Sequence, residues 1–169
     1  MKLNNKTAIV TGAGQGMGRA IVQHFVEQGA TVYAIDINSD ALDETVKDLG
    51  GKGHPVVCDI TNEESVSALM ARVEKEQGKL DILINNAGIG SVDAFLETPL
   101  ETWQRVINVN LTGAFLCSRE AAKLMTKAGS GSIINFSRTA AQTGEGPCHY
   151  VGSKAGMMGL TRSNARELA

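Results

Sequence analysis

The feature that most constrains the fold is the regular alternation of short apolar runs with helical stretches, which occurs five times along the chain. The apolar runs are continuous rather than alternating with polar residues. This pattern is typical of parallel strands that helices cover on both faces. It predicts an α/β fold of the Rossmann type, a doubly wound parallel sheet in three α/β/α layers. The predicted strands are residues 7–10, 31–37, 55–60, 80–88 and 132–137.

Local signals predict where several helices begin. Asn38 and Asp40 are the residues expected to cap the second helix. Thr61, followed three residues later by Glu64, predicts a capping box for the third. After Pro99, a continuous helix is predicted over residues 101–126. The last helix is expected to start near Tyr150.

Composition excludes several functional classes. The formal net charge is −2, the pI is near 5.9, and no basic stripe occurs, which argues against a nucleic-acid binder. No apolar run is long enough to span a membrane and no signal-peptide pattern is present, so a cytoplasmic protein is predicted. The three cysteines have no metal-site spacing, so we expect reduced thiols and no metal.

A glycine-rich loop, TGAGQGMG, follows the first predicted strand and opens a helix. The GxGxxG fingerprint is not met, because Met17 occupies its last position when counting starts at Gly12. Small residues still allow backbone amides to approach a pyrophosphate at a helix N-terminus. The alternative is a glycine-rich turn without a ligand. The residues predicted to contact the cofactor here are Gly12, Gln15, Gly16, Met17 and Gly18.

An acidic residue occupies the position, after the glycine loop, at which dinucleotide-binding sites carry an aspartate or a glutamate. Asp36 ends the second predicted strand and is expected to bond the ribose hydroxyls of the adenosine. Its carboxylate would repel a 2′-phosphate, and the neutral Gln15 and Ile37 offer no cation to receive one, so NAD is predicted over NADP. Asp59 and Ile60, at the end of the third strand, are expected on the adenine side. The alternative for both acids is a solvated strand-end carboxylate.

Four motifs occur in a specific order: the glycine loop, NNAG at residues 85–88, Asn110 in INVNLTGAF, and Tyr150-x-x-x-Lys154. With these motifs the chain resembles the short-chain dehydrogenase/reductase family over nearly its whole length, and the glycine spacing resembles its compact, single-domain branch. The resemblance implies one NAD-binding domain over residues 1–169. It also implies hydride transfer between a nicotinamide and a secondary alcohol or ketone.

The resemblance assigns roles to individual residues. Tyr150 would be the general acid/base, and Lys154, one helical turn away on the same face, would hold the nicotinamide ribose and lower the pKa of the tyrosine. Asn110 would fix a water beside Lys154. The residues that would form part of the nicotinamide-side wall are Asn86, Ala87 and Gly88.

The chain departs from the family at its catalytic serine. Aligned by the fifth strand, the serine position falls on Arg138; counted back from Tyr150, it falls on Ser137. Ser137 is the predicted catalytic serine. Arg138 is expected to point to solvent, to bind an anionic substrate, or to spoil catalysis.

The second departure is length, because the family continues beyond the last helix into further strands and a substrate-covering loop. The chain is therefore expected to be a C-terminally truncated fragment that lacks the last strands of the family fold. Without those strands, strand five would lie at an edge of the sheet. The fragment alone is expected to bind NAD poorly. The alternative function is a non-catalytic nucleotide-binding relative. The expected partners are a small alcohol or carbonyl substrate and, in the full-length form, further copies in a homodimer or homotetramer.

Overall fold

A parallel five-stranded sheet forms the centre of the protein in the computed structural model, which describes residues 1–169. The strand order is β3-β2-β1-β4-β5, so the chain reverses direction across the sheet between β1 and β4. A doubly wound sheet opens a crevice at this reversal, beyond the carboxyl ends of the strands. The strands are β1 (Thr7–Thr11), β2 (Thr31–Asp36), β3 (Gly53–Val57), β4 (Ile82–Asn85) and β5 (Ser132–Asn135).

Helices cover both faces of the sheet, which confirms the three-layer prediction. Successive strand residues face opposite sides. Ile9 and Leu83 therefore pack towards α3 and α5, whereas Val10 and Ile84 pack towards α1 and α2. None of the helices is both long and apolar enough to cross a bilayer. The helices are α1 (Gly16–Glu27), α2 (Ser39–Val46), α3 (Glu63–Gln77), α4 (Leu100–Ile107), α5 (Gly113–Ala128), α6 (Ala140–Thr143) and α7 (Cys148–Glu167).

The predicted bounds of the third strand were wrong. Residues 55–60 were expected to form it, but β3 runs from Gly53 to Val57, and Pro55 lies in its middle. Proline cannot donate a ladder hydrogen bond, so it is tolerated only where one side of the strand is unpaired. β3 pairs only with β2 and lies at the sheet edge, which satisfies this condition.

Of the two residues predicted to cap α2, Asn38 is the cap and Asp40 lies in the first turn, whereas the predicted cap of α3 was wrong. Asn38 accepts a hydrogen bond from the backbone of Ala41 at 3.0 Å. The cap of α3 is Asn62, which accepts from the Ser65 amide at 2.8 Å, rather than Thr61 in a capping box. The Thr61 hydroxyl instead donates to Asp59 at 2.7 Å in the preceding turn.

The long helix predicted over residues 101–126 is interrupted. α4 ends at Ile107, a π-helical turn spans Asn108–Thr112, and α5 follows from Gly113. Such turns inside helices are rare and occur often at functional sites. The interruption places Asn110 fully inside the protein, facing the carboxyl end of β4. β5 lies at the other edge of the sheet, as predicted.

Candidate functional site

A cleft of about 840 Å³ lies beyond the carboxyl ends of β1, β2 and β4, where the strand order reverses. Nearly all of the residues predicted to bind a cofactor line it, including stretches that are far apart in sequence. The exceptions are Gly18, which packs against Gly12, and Tyr150 and Lys154, which lie beside Gly90 and Gly88 on α7. The predicted residues that line the cleft are Gly12, Gln15, Gly16, Met17, Asp36, Ile37, Asp59, Ile60, Asn86, Ala87 and Gly88.

The glycine loop is packed so tightly at Gly12 and Gly18 that side chains are excluded there. A Cβ atom on Gly18 would lie 2.1 Å from the carbonyl oxygen of Gly12. Gly12 has a positive φ of 65°, and a Cβ there would lie 2.8 Å from the Cα of Ala87. Helix α1 begins at Gly16, and no side chain caps its first turn. The amides of that turn therefore have no side-chain partner. They lie at the wall of the cleft, where amides at a helix N-terminus can bind an anion.

Asp36 ties β2 to the glycine loop. Its carboxylate accepts hydrogen bonds from the amide of Gly14 at 2.9 Å and from that of Ile37 at 2.8 Å. The charge of the cleft wall is dominated by acids. Its charged lining residues are three carboxylates, Asp36, Asp59 and Glu101, and one guanidinium, Arg105.

Thr11, which the sequence analysis missed, joins the glycine loop to the turn after β4. Its hydroxyl oxygen accepts from the amides of Asn86 and Ala87 at 3.2 and 3.1 Å. The side-chain amide of Asn86 donates in return to the carbonyl oxygens of Thr11 and Gly12, at 3.0 and 3.1 Å. The only sequence signal was a threonine directly before the glycines.

Lys154 is only 5% exposed, although it carries a charge. Its ammonium group donates to the carbonyl oxygen of Phe136 at 2.9 Å and lies 5.8 Å from the ring centre of Tyr150. Burial, and then the positive charge of Arg138, lower the pKa of Lys154. An ammonium has three donors, and one is used within the chain. The Tyr150 phenol, half-buried, makes no hydrogen bond within the protein.

Asn110 holds the loop after β4 against α7. Its side chain accepts from the amide of Ile89 at 2.8 Å and donates to the carbonyl oxygen of Ile89 at 2.9 Å. It also donates to the hydroxyl of Ser153 at 3.1 Å, which donates to the carbonyl oxygen of Tyr150 at 2.7 Å. Gly88 lies beside the same groups, because a Cβ there would be 3.5 Å from the Lys154 nitrogen. Ser153 was not singled out from the sequence.

The structure separates the two candidates for the serine position. The Ser137 hydroxyl donates to the carbonyl oxygen of Lys154 at 2.8 Å. Arg138 is exposed, and its guanidinium forms no ion pair. The assignment of Ser137 as the residue that donates a hydrogen bond to the substrate oxygen stays a prediction. In this structure the hydroxyl proton is donated to the carbonyl oxygen of Lys154 instead.

A second polar cluster beside Tyr150 was also missed. The imidazole of His149 is fully buried, and neither ring nitrogen has a hydrogen-bond partner. Its Nε2 lies 3.7 Å from the carboxylate of Asp93, which accepts from the hydroxyl of Ser91. The cluster therefore joins the loop after β4 to the first turn of α7. No local pattern in the sequence links these residues.

Comparisons with known proteins find similar sequences and a similar fold over nearly the whole chain. Residues 6–169 match the family model described as short chain dehydrogenase. The chain is 38% identical over 173 residues to the 3-oxoacyl-(acyl-carrier-protein) reductase FabG of Thermotoga maritima, covering 100% of the chain and 70% of that protein. It is also 38% identical over 173 residues to a 3beta-hydroxysteroid dehydrogenase of Mediterraneibacter gnavus, covering 99% of the chain and 62% of that protein.

A solved structure shares the whole fold. The crystal structure of a short-chain type dehydrogenase/reductase from Mycobacterium marinum matches with a TM-score of 0.94 and 36% identity. The match covers 99% of this chain and 68% of that one. The chain thus spans roughly two thirds of the length of these similar proteins.

Proposed function

The chain belongs to the short-chain dehydrogenase family, and from that premise we propose that it is an NAD(H)-dependent oxidoreductase acting on a secondary alcohol or ketone. The observation that carries the proposal is the convergence of Tyr150, Lys154 and Asn110 beside Gly88, at the end of the acid-lined cleft. These groups come from α7, the π-helical turn and the loop after β4. The fold brings them together at the crevice where such sheets bind ligands.

The cleft suits a dinucleotide. Close packing of backbone on backbone at Gly12 and Gly18 keeps the glycine loop compact, and the first turn of α1 offers uncapped amides to a pyrophosphate. Asp36 is placed to accept hydrogen bonds from ribose hydroxyls. Lys154 retains donors for a second ribose at the other end. The fit of these residues to the cofactor supports the proposal.

NAD is favoured over NADP on electrostatic grounds. A 2′-phosphate would add negative charge to a wall that carries three carboxylates and one guanidinium. Of these charged groups, Asp36 would lie nearest to the 2′-phosphate. Gln15 and Ile37, which also line the cleft, are neutral. Like charges at close range in a partly buried cleft repel strongly. The acid pattern therefore favours the cofactor without that phosphate.

Tyr150 is the proposed general acid/base. A nicotinamide, when bound, supplies or accepts the hydride. The phenol of Tyr150, free of partners within the chain, takes the proton of the substrate hydroxyl or returns it. The Lys154 ammonium, 5.8 Å from the ring centre, stabilises the negative charge that forms when the phenol has lost its proton. Asn110 orients the loop at Ile89, and in this proposal a water beside Lys154 extends the path for the proton.

A second candidate function is a nucleotide-binding relative without catalytic activity. One observation favours it: the single proton of Ser137 is engaged with the backbone of α7, and the next residue is an arginine. A site without a donor for the substrate oxygen would bind NAD but transfer hydride poorly.

We also propose that the full-length protein forms a homodimer or homotetramer through the helices after Pro99 and α7. Exposed apolar side chains at this face support the proposal: Leu100 is 70% exposed, Phe115 41% and Trp103 38%. Leu116 and Met157, on the same helices, are buried in the core and are not part of this face.

The decisive experiment uses the protein expressed from its complete reading frame. NADH absorbance is followed with a panel of secondary alcohols and ketones, while calorimetry measures binding of NAD. We expect turnover in the wild type and a loss of about 10²- to 10⁴-fold in Tyr150→Phe, with NAD affinity retained. Clear NAD binding without turnover supports the second candidate. Absence of both NAD binding and turnover contradicts both candidates.

A further inference from the structure

Arg138 is held at the rim of the candidate site by its neighbours. The two preceding residues contact α7: the carbonyl oxygen of Phe136 accepts from Lys154 at 2.9 Å, and Ser137 donates to the carbonyl oxygen of Lys154 at 2.8 Å. The carbonyl oxygen of Arg138 accepts from the amide of Ala141 at 2.9 Å, in the turn that opens α6. The backbone of Arg138 is therefore fixed on both sides, beside the lysine of the site.

The guanidinium of Arg138 has no acidic partner. Arg72 and Arg119 are paired with glutamates, whereas Arg138, like Arg105, Arg162 and Arg166, forms no ion pair and no side-chain hydrogen bond. Arg138 is set apart by its place, because the two residues before it contact Lys154. Its charge nevertheless reaches the site, because it contributes to the lowered pKa of Lys154. No carboxylate is paired with Lys154 either. Lys154 and Arg138 are thus cations joined through the contacts of Ser137 and Phe136, and neither has an acidic partner within the protein.

An anionic group on the substrate could pair with the unpartnered guanidinium of Arg138. A guanidinium carries five donors in a planar fork that matches a carboxylate in two parallel hydrogen bonds. The side chain is exposed, so it can reach a ligand without breaking a contact of the fold. The neighbouring Ser137 cannot compete for that ligand as a donor while its hydroxyl donates to the carbonyl oxygen of Lys154.

We propose that Arg138 binds a carboxylate of the substrate, so that the site takes hydroxy acids and the matching oxo acids in preference to neutral alcohols. The inference rests on the proposed function, since it names the substrate class of the same site. Arg138 is then a residue that determines specificity, while Tyr150 remains the proton donor and acceptor.

The test compares acids with their isosteric amides. Lactate and lactamide, and β-hydroxybutyrate and β-hydroxybutyramide, are assayed as substrates with the complete protein in the presence of NAD. Wild type, Arg138→Gln and Arg138→Lys are compared, with Arg166→Gln as a control at the exposed far end of α7. We expect at least one acid to be preferred over its amide, and the preference to fall about 10- to 100-fold in Arg138→Gln. The change should appear mainly in KM, and Arg138→Lys should recover part of it.

Binding provides a readout that does not depend on turnover. The same acids and amides are titrated calorimetrically into the protein with NAD present. Tighter binding of an acid than of its amide, lost in Arg138→Gln but kept in Arg166→Gln, supports the proposal even if no hydride is transferred. Equal binding and turnover of acid and amide in the wild type, or an equal loss of both in Arg138→Gln, overturns it. Failure of NAD binding and of all turnover, with acid binding intact, contradicts the proposed function alone.

Discussion

The hydroxyl of Ser137 donates to the carbonyl oxygen of Lys154 at 2.8 Å, while the ammonium of Lys154 donates to the carbonyl oxygen of Phe136 at 2.9 Å. The end of β5 and the helix α7 therefore hold each other at two points. A hydroxyl has only one proton to donate, so Ser137 cannot donate to a substrate oxygen while it bonds to α7. We infer that Ser137 orients the lysine in this conformation.

The first prediction concerns Ser137→Ala. The variant loses one hydrogen bond, so we expect it to be about 1 kcal/mol less stable to urea, with kcat/KM reduced less than about tenfold. A group that stabilises developing charge on the substrate would cost about 10²- to 10³-fold. Ser163→Ala, at an exposed bond to Glu167, is the control for stability. A hundredfold loss of kcat/KM with unchanged stability would show that Ser137 contacts the substrate.

The second prediction concerns Asn110→Ala. The change leaves the amide and carbonyl of Ile89 and the hydroxyl of Ser153 without their partner inside the protein. Unpaired buried groups cost about 1–3 kcal/mol each, so we expect a loss of about 2–5 kcal/mol in unfolding free energy. Asn108→Ala, in the same π-helical turn but exposed, should cost far less. Urea denaturation of both variants checks this, and equal losses would rule out the anchoring role of Asn110.

The third prediction concerns cofactor choice. Asp36→Asn removes the charge that would face a 2′-phosphate, so the ratio of NADP to NAD affinity should rise about tenfold or more. The ratio is measured by fluorescence titration with each cofactor. Asp40→Asn, an exposed carboxylate in the first turn of α2, should leave the ratio unchanged. A similar rise of the affinity ratio in both variants would mean that the preference for NAD arises from the net charge of the domain rather than from Asp36.

The fourth prediction compares two glycines of the same loop. Gly18→Ala drives a Cβ against the carbonyl oxygen of Gly12 at 2.1 Å, whereas Gly16→Ala meets open space and only strains a φ of 54°. We expect losses of about 3 kcal/mol or more for Gly18→Ala and about 1–2 kcal/mol for Gly16→Ala. Thermal and urea unfolding give both values. The reverse order would contradict the observed packing of α1 on the loop.

The fifth prediction concerns pH. Burial of Asp81 acts to raise its pKa, but hydrogen bonds from the Thr7 amide, Lys6 and Lys79 outweigh it and hold the pKa below its usual value. Because the pKa of Asp81 is lower in the folded state than in the unfolded state, its ionised carboxylate stabilises the fold. This stabilisation is fully present at pH values above the pKa of the unfolded state, about 3.9, and is lost as the pH falls through the pKa of the folded state.

Asp81→Asn should therefore be about 1–3 kcal/mol less stable than wild type at neutral pH. The difference should shrink only below about pH 4. Urea midpoints across the acid range measure it, with Asp48→Asn, an exposed carboxylate, as the control. A difference that stays constant to the lowest pH would show that the charge of Asp81 contributes nothing.

Local patterns in the sequence were sufficient for the layered fold and for much of the cleft. Continuous apolar strands can be buried only between two layers of helices. A glycine run between such a strand and a helix marks where backbone must pack on backbone, as Gly12 and Gly18 do. Asn38 caps α2 through a contact three residues away, which a sequence displays directly. Tyr150 and Lys154 share a face of α7 because helical periodicity alone puts them there.

Tertiary structure decided what depends on partners distant along the chain. Pro55 stands inside β3 because that strand has only one neighbour, and no local signal records the order of the strands. The bonds from Asn110 to Ile89 and Ser153 form only when the π-helical turn and α7 meet at the end of β4. The choice between Ser137 and Arg138 was open because two counts along the chain disagreed by one residue. The structure places the Ser137 hydroxyl against a carbonyl of α7 and leaves Arg138 exposed, a difference that is set by packing between elements rather than by spacing.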